Sequence, residues 1–128
     1  SIKVKDLPEI WNKKYQEYLG VKVPSDSMGV LQDIHWSHGS FGYFPTYTIG
    51  SLYAAQFFTQ ALHENEKLYK EISTGKNDNL LKWLREKIHK HGKKYSAQEL
   101  CTKVTGEKLN FKFFKEYANT KYTKIYNL

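Results

Sequence analysis

The chain has 128 residues, room for one ordinary domain and not for two. Aliphatic and aromatic residues make up 40% of it and aromatics alone 16%, which permits a packed core and excludes a disordered tail. The formal charge of +7 admits nucleic acid or anionic lipid as a partner, yet of the 20 basic residues only Arg85 is arginine. Readers of bases and phosphates favour arginine for its bidentate fork, and these lysines are spread along the chain among glutamates, as on a solvated helical surface. No nucleic-acid partner is expected. No membrane partner is expected either, since no stretch approaches the ~20 apolar residues of a span. The single cysteine, Cys101, leaves no internal disulfide and no cysteine-built zinc cage, and fits a reducing cytoplasm. The first residues do not read as a secretory signal. The chain starts at Ser1 with Met28 as its one methionine, so it is expected to be processed or cut from something longer.

In chain order, the first element is a helix from Asp6 to Leu19. Asp6 is placed to cap it, Pro8 suits the first turn and Gly20 can end it. Leu7, Trp11, Tyr15 and Tyr18 recur at helical spacing and predict one buried stripe. Residues 21–29 are loop-like, with Pro24, Ser25, Asp26 and Ser27 as turn formers. From Gly29 to Thr46 neither a period of 2 nor one of 3.6 fits. Gly29, Gly39, Gly42 and Pro45 alternate there with Trp36, Phe41, Tyr43 and Phe44 and with Gln32, Asp33, His35 and His38. Such a loop lines a site, or its aromatics simply plug it into the core.

A long helix is predicted from Tyr47 to Ser73, stopped by Thr74 and Gly75. Residues 79–91 form the next, with Leu80, Leu81, Leu84 and Ile88 on one face and His89 and His91 in the last turn. Ser96 to Glu99 is a capping box opening a short helix. Residues 110–125 close the chain, with Phe111, Phe114, Ala118 and Ile125 as a stripe. Nothing reads as a strand. The fold class is all-α.

Few residues offer chemistry on their own. The helical zinc motif His-Glu-x-x-His places two ligands on one face, but His63-Glu64-Asn65-Glu66-Lys67 has lysine where the second histidine must be. His35 with His38, and His89 with His91, lack a third ligand at sensible spacing. Cys101 sits in an apolar register beside Leu100 and Val104, as a buried inert thiol would. Ser37 and Ser40 have no nucleophile elbow, and no phosphate loop is present. Gln32, Asp33, His35, Tyr43 and Tyr47 remain. These hydrogen-bonding groups suit stabilisation of an oxyanion whose nucleophile comes from elsewhere.

The run Gly29-Val-Leu-Gln-Asp-Ile-His-Trp36, followed by Gly42-Tyr-Phe-Pro-Thr-Tyr47, resembles the thermostable, Taq-type carboxypeptidase family of metallopeptidases. Gly-x-x-Gln-Asp-x-His-Trp and Gly-Tyr-Phe-Pro-Thr-Tyr are that family's motifs. The text around Lys5 to Trp11, Trp83 to Gly92 and Val104 to Glu107 is similar too, so nearly the whole chain is covered. It is covered as the family's C-terminal part: the metal-binding His-Glu-x-x-His helix, the third ligand and the arginine motif for the substrate carboxylate all belong upstream.

The resemblance implies residues 1–128 as one helical domain, the C-terminal part of a mostly helical, zincin-type peptidase with a deep substrate groove. It implies zinc, or another divalent metal such as cobalt, polarising a water with an upstream glutamate as general base. The activity implied is release of single amino acids from a peptide C-terminus, by a homodimer when complete. No metal ligand falls in this segment, which alone should be inactive. By motif position, His35 donates to the substrate carbonyl and Tyr43 to the tetrahedral oxyanion. Gln32, Asp33, Trp36 and Tyr47 bind substrate or sit behind those groups, with Asp33 fixing the histidine tautomer. The competing reading is a helical protein-interaction module with a Lys-rich surface.

Overall fold

The computed structural model describes residues 2–128. Among them there is no strand. Short 3₁₀ turns join the helices α1 (Leu7–Leu19), α2 (Phe44–Glu64), α3 (Leu68–Ser73), α4 (Asp78–Lys87), α5 (Ala97–Thr105) and α6 (Lys112–Tyr126), and the all-α expectation holds. No helix among the described residues is long and apolar enough to cross a membrane. The chain divides into two compact units, one ending at Thr46 and one running from Tyr47 to Leu128.

The first unit is built on α1. Pro8 lies in its first turn and Gly20 ends it in the left-handed conformation, its amide bonded to the Gln16 carbonyl. Asp6 does not cap it as expected. Its own backbone is helical, whereas a capping residue is extended so that its side chain can reach forward. The Asp6 carboxylate instead accepts from the Lys3 amide at 3.0 Å and closes a turn over Val4–Asp6. The predicted stripe is not buried either. Leu7, Trp11 and Tyr15 are half-buried and Tyr18 is 69% exposed, because so short a unit cannot cover an apolar helix face by itself. Trp11 stacks on Tyr15, and Trp36 meets the Trp11 edge while stacking on Phe41.

In the second unit, Ala61, Leu68 and Trp83 form a small buried core, with Phe57, Ile72, Leu84 and Val104 packed against it. The single helix predicted over residues 47–73 is two helices. It begins three residues early, at Phe44, and breaks after Glu64. Asn65 makes the break: its side-chain oxygen accepts from the Lys67 amide and its carbonyl from the Leu68 amide. Asparagine competes with the helix in this way, and the turn lets Leu68 bury to 1% exposure in the core. Glu64, the last residue before the break, receives the Trp83 indole N–H at 2.9 Å and the Lys87 ammonium at 3.1 Å.

α4 also ends sooner than predicted, at Lys87, and His89–His91 continue as a 3₁₀ turn. The capping box at Ser96 and Glu99 forms as read. On α6, Phe114 and Ala118 are half-buried, but Phe111 and Ile125 stay more than half exposed. Gln56 is wholly buried. Its amide nitrogen donates to Thr105 Oγ1 at 2.9 Å and to the Lys108 carbonyl at 3.2 Å, while its oxygen accepts from the Asn110 amide at 2.9 Å. One side chain thereby holds the whole connection from α5 to α6 on α2.

Candidate functional site

The irregular stretch after α1 is a chain of tight turns, Asp26–Met28, Val30–Gln32 and Ile34–His38. Gly29 joins the first two where the backbone passes closest to its surroundings. A β-carbon there would lie 2.6 Å from Val23 Cγ1 and 3.2 Å from both Asn12 Oδ1 and the Ser25 carbonyl. Any side chain would collide with Val23 and press on Asn12 of α1 and on the Ser25 carbonyl. At the other end Gly39 takes φ 81°, a left-handed conformation favourable to glycine, and Ser40 N–H bonds back to the His35 carbonyl at 3.0 Å. These two glycines bracket the residues on which the sequence analysis converges.

Asp33 is buried, at 6% exposure. Its Oδ1 accepts from the His35 backbone amide at 3.1 Å and lies 2.7 Å from His35 Nδ1. A carboxylate oxygen that already accepts one N–H takes the second as an acceptor too, so Nδ1 carries the proton. The His35 side chain is only 14% exposed. Tyr43 stacks on its ring with centroids 4.2 Å apart and 22° between planes. Phe44 and His38 meet the same ring edge-on, at 5.2 Å and 5.8 Å. The imidazole is therefore fixed from below by a carboxylate and from the sides by rings. Tyr43 itself is 46% exposed, and its carbonyl takes Thr46 N–H at 3.0 Å and the Thr46 hydroxyl at 2.6 Å at the start of α2.

The structure thus brings Asp33, His35 and Tyr43 together. Gln32 and Trp36 are turned to other partners. Gln32 turns its amide to the Ser27 carbonyl and so pins one turn to the preceding one. Trp36 points into the aromatic stack with Trp11 and Phe41. Tyr47 belongs to the second unit, one turn into α2, and is 59% exposed. Sequence reasoning overlooked Phe44 and His38 as packing partners of the imidazole. Their adjacency follows only once the chain is known to turn tightly at Gly39 and Gly42, both of which have positive φ.

Among the described residues no group of three or more His, Cys, Asp and Glu side chains converges as metal ligands would. The donor set a divalent ion needs is not assembled by them, and no chemistry is assigned to this chain through a metal. Cys101 is fully buried, and burial pushes its thiol up, with the Thr105 hydroxyl acting in the opposite direction. It remains a neutral packing residue at physiological pH.

This geometry occurs on a chain with clear relatives. Carboxypeptidase 1 of Bacillus subtilis (strain 168) is 40% identical over 128 residues, all of this chain and 26% of that protein. Thermostable carboxypeptidase 1 of Pyrococcus furiosus is 43% identical over 122 residues, 95% of this chain and 24% of that one. Among solved structures, the M32 carboxypeptidase from Deinococcus radiodurans R1 matches with a TM-score of 0.92 at 35% identity, covering 99% of this chain and 26% of its own. The chain spans about a quarter of the length of the curated relatives it matches. The model of the carboxypeptidase Taq (M32) metallopeptidase family matches residues 1–122, and the chain belongs to that family.

Proposed function

We propose that this chain forms part of one wall of the substrate groove in a metal-dependent carboxypeptidase that releases single amino acids from peptide C-termini. The observation that carries the proposal is the Asp33–His35–Tyr43 cluster on the family's Gly-x-x-Gln-Asp-x-His-Trp turn. His35 presents Nε2 to the substrate carbonyl beside the scissile bond. With Nδ1–H committed to Asp33, Nε2 accepts when the ring is neutral and donates only when the ring carries both protons. Tyr43, stacked on that ring, directs its phenol to the tetrahedral oxyanion, where a fixed donor acts most strongly in the transition state. Gln32 and Trp36 hold the turn, and Tyr47 contributes a donor or an aromatic surface to the peptide.

The metal ligands, the general base and the residues that grip the substrate carboxylate are assigned to the remainder of a polypeptide as long as the relatives. Zinc, or another divalent ion such as cobalt, would be held there, in a cytoplasmic homodimer. Consistent with a covering partner, Leu31, Ile34 and Phe41 on the same turns are each more than 60% exposed, an apolar grouping that a finished surface rarely shows. The alternative of a stand-alone interaction module gives no role to a buried Asp–His pair.

A carboxypeptidase assay on a blocked dipeptide, with metal analysis of the same sample, tests the reading. Run on the 128-residue chain it should give neither activity nor bound metal, and both should appear when the upstream part is supplied. Stoichiometric metal with activity in the 128 residues alone would overturn it.

A further inference from the structure

The stretch from Lys87 to Lys94 holds four lysines and two histidines and no acidic residue. Lys87 is spoken for by Glu64. Among the described residues, Lys14 and Lys112 also form ion pairs, and the other lysines, Lys90, Lys93, Lys94 and Lys103 among them, form none.

Around Tyr95 several of these unpaired lysines converge. The ammonium groups of Lys94 and Lys103, from the turn before α5 and from α5 itself, both lie over the Tyr95 ring, 5.7 and 5.5 Å from its centre. His91 meets the same ring at 5.3 Å. The His91 imidazole is held below its usual range by burial and then by the charges of Lys90, Lys103 and Lys94, so three cations act on one point. A depression of about 600 Å³ adjoins them, lined by Tyr95, Thr102, Lys103 and Lys108. Glu99 lines it too, and the Ser96 amide bonded to its carboxylate at 2.8 Å keeps it ionised, so the depression sets one negative charge against Lys103 and Lys108. An electron-rich ring tolerates the ammonium groups without neutralising them. Their mutual repulsion is relieved when a partner supplies negative charge.

We infer that the face formed by Lys90, Lys94, Tyr95, Lys103 and Lys108 is a docking surface for an acidic, Asp/Glu-rich polypeptide segment. The chemistry favours carboxylates over a nucleic acid. No arginine fork is present for phosphate or base edges. The one ring at the centre already carries two ammonium groups and is not a free platform for base stacking. Lysines act as mobile point charges that suit carboxylates presented at irregular spacing.

Fluorescence anisotropy with a labelled oligoglutamate tests the inference. It is measured at rising salt on the 128-residue chain and, in parallel, on the polypeptide completed to the length of its relatives. Oligothymidylate and phosphatidylserine vesicles serve as competing probes. Binding of oligoglutamate should weaken as salt rises, and the triple variant Lys90→Gln/Lys94→Gln/Lys103→Gln should lose on the order of tenfold in affinity. A control triple, Lys13→Gln/Lys22→Gln/Lys76→Gln, removes the same charge elsewhere and should change affinity less than about twofold. If circular dichroism shows that the first triple has lost helix, Lys103→Gln alone replaces it, with a loss of about threefold expected. Equal losses in the two triples, tighter binding of either competing probe, or no binding at low salt would each overturn the assignment.

Discussion

One carboxylate oxygen of Asp33 holds the same residue twice, through His35 Nδ1 at 2.7 Å and through the His35 backbone amide at 3.1 Å. The backbone bond sets where the histidine leaves the turn, and the side-chain bond sets which way its ring faces and which nitrogen carries the proton. With Tyr43 stacked 4.2 Å away, two side chains eight residues apart in sequence become one rigid group.

Asp33→Asn separates the geometric role of this residue from its charge. The asparagine oxygen can accept both bonds, so the turn should survive, but the negative charge opposite the imidazole is gone. In the enzyme completed with its upstream part, turnover should fall by about 10- to 100-fold, the usual cost of losing a supporting partner. The KM should be little changed. An unaltered kcat would assign Asp33 to the turn alone.

Gln56 is expected to be the most sensitive polar residue of the second unit. Gln56→Leu keeps the bulk but strands the Asn110 amide and the Lys108 carbonyl that the buried amide satisfies. Unsatisfied buried groups cost about 1–3 kcal/mol each, so chemical denaturation should show a loss of at least about 2 kcal/mol.

The Ser96 cap offers a smaller and cleaner test. Ser96→Ala removes the acceptor for Glu99 N–H and should cost about 1 kcal/mol, read as a lower denaturation midpoint with an unchanged slope.

Acid should destabilise the second unit through Glu64. Burial pushes this carboxyl up, but hydrogen bonds from Gln60, Lys87 and Trp83 outweigh it and hold the group below the ordinary carboxylate value of about 4.5. A carboxyl depressed in the folded state binds fewer protons there than when unfolded. Its contribution is thus present above 4.5 and lost as pH falls through the folded value. Glu107 shifts the same way, through hydrogen bonds from Lys112 and Asn110. Unfolding followed by Trp fluorescence should show stability declining below about pH 4.5 in the wild type and a weaker decline in Glu64→Gln.

Much of the helical plan could be read from local chemistry. Pro8 and Gly20 bound α1, and Ser96 with Glu99 starts α5, because those signals act within a turn of their own position. The failures share a cause. Asp6 sits in helical backbone and spends its carboxylate backwards on Lys3. The break at Asn65 carries an apolar pattern straight across it, and only the burial of Leu68 against Ala61 and Trp83 decides where the chain turns. The exposed flank of Tyr18 was invisible for the opposite reason: helical periodicity marks a face as apolar, not that anything covers it. At the site, the sequence grouped Gln32, Asp33, His35, Tyr43 and Tyr47, of which Asp33, His35 and Tyr43 pack together while Gln32 turns to the Ser27 carbonyl. It gave no sign that Trp36 turns into the stack on Trp11, since adjacent residues of a 3₁₀ turn point in different directions.

The central claim is that His35 and Tyr43 act on the reacting carbonyl of a carboxypeptidase. The most direct test is kcat on a blocked dipeptide for His35→Ala and Tyr43→Phe in the completed enzyme, with metal content measured on the same samples. Each substitution should lower turnover by roughly 10²–10³, about 2.7–4 kcal/mol of transition-state stabilisation, while the metal stays stoichiometric. Unchanged turnover in both variants would contradict the account.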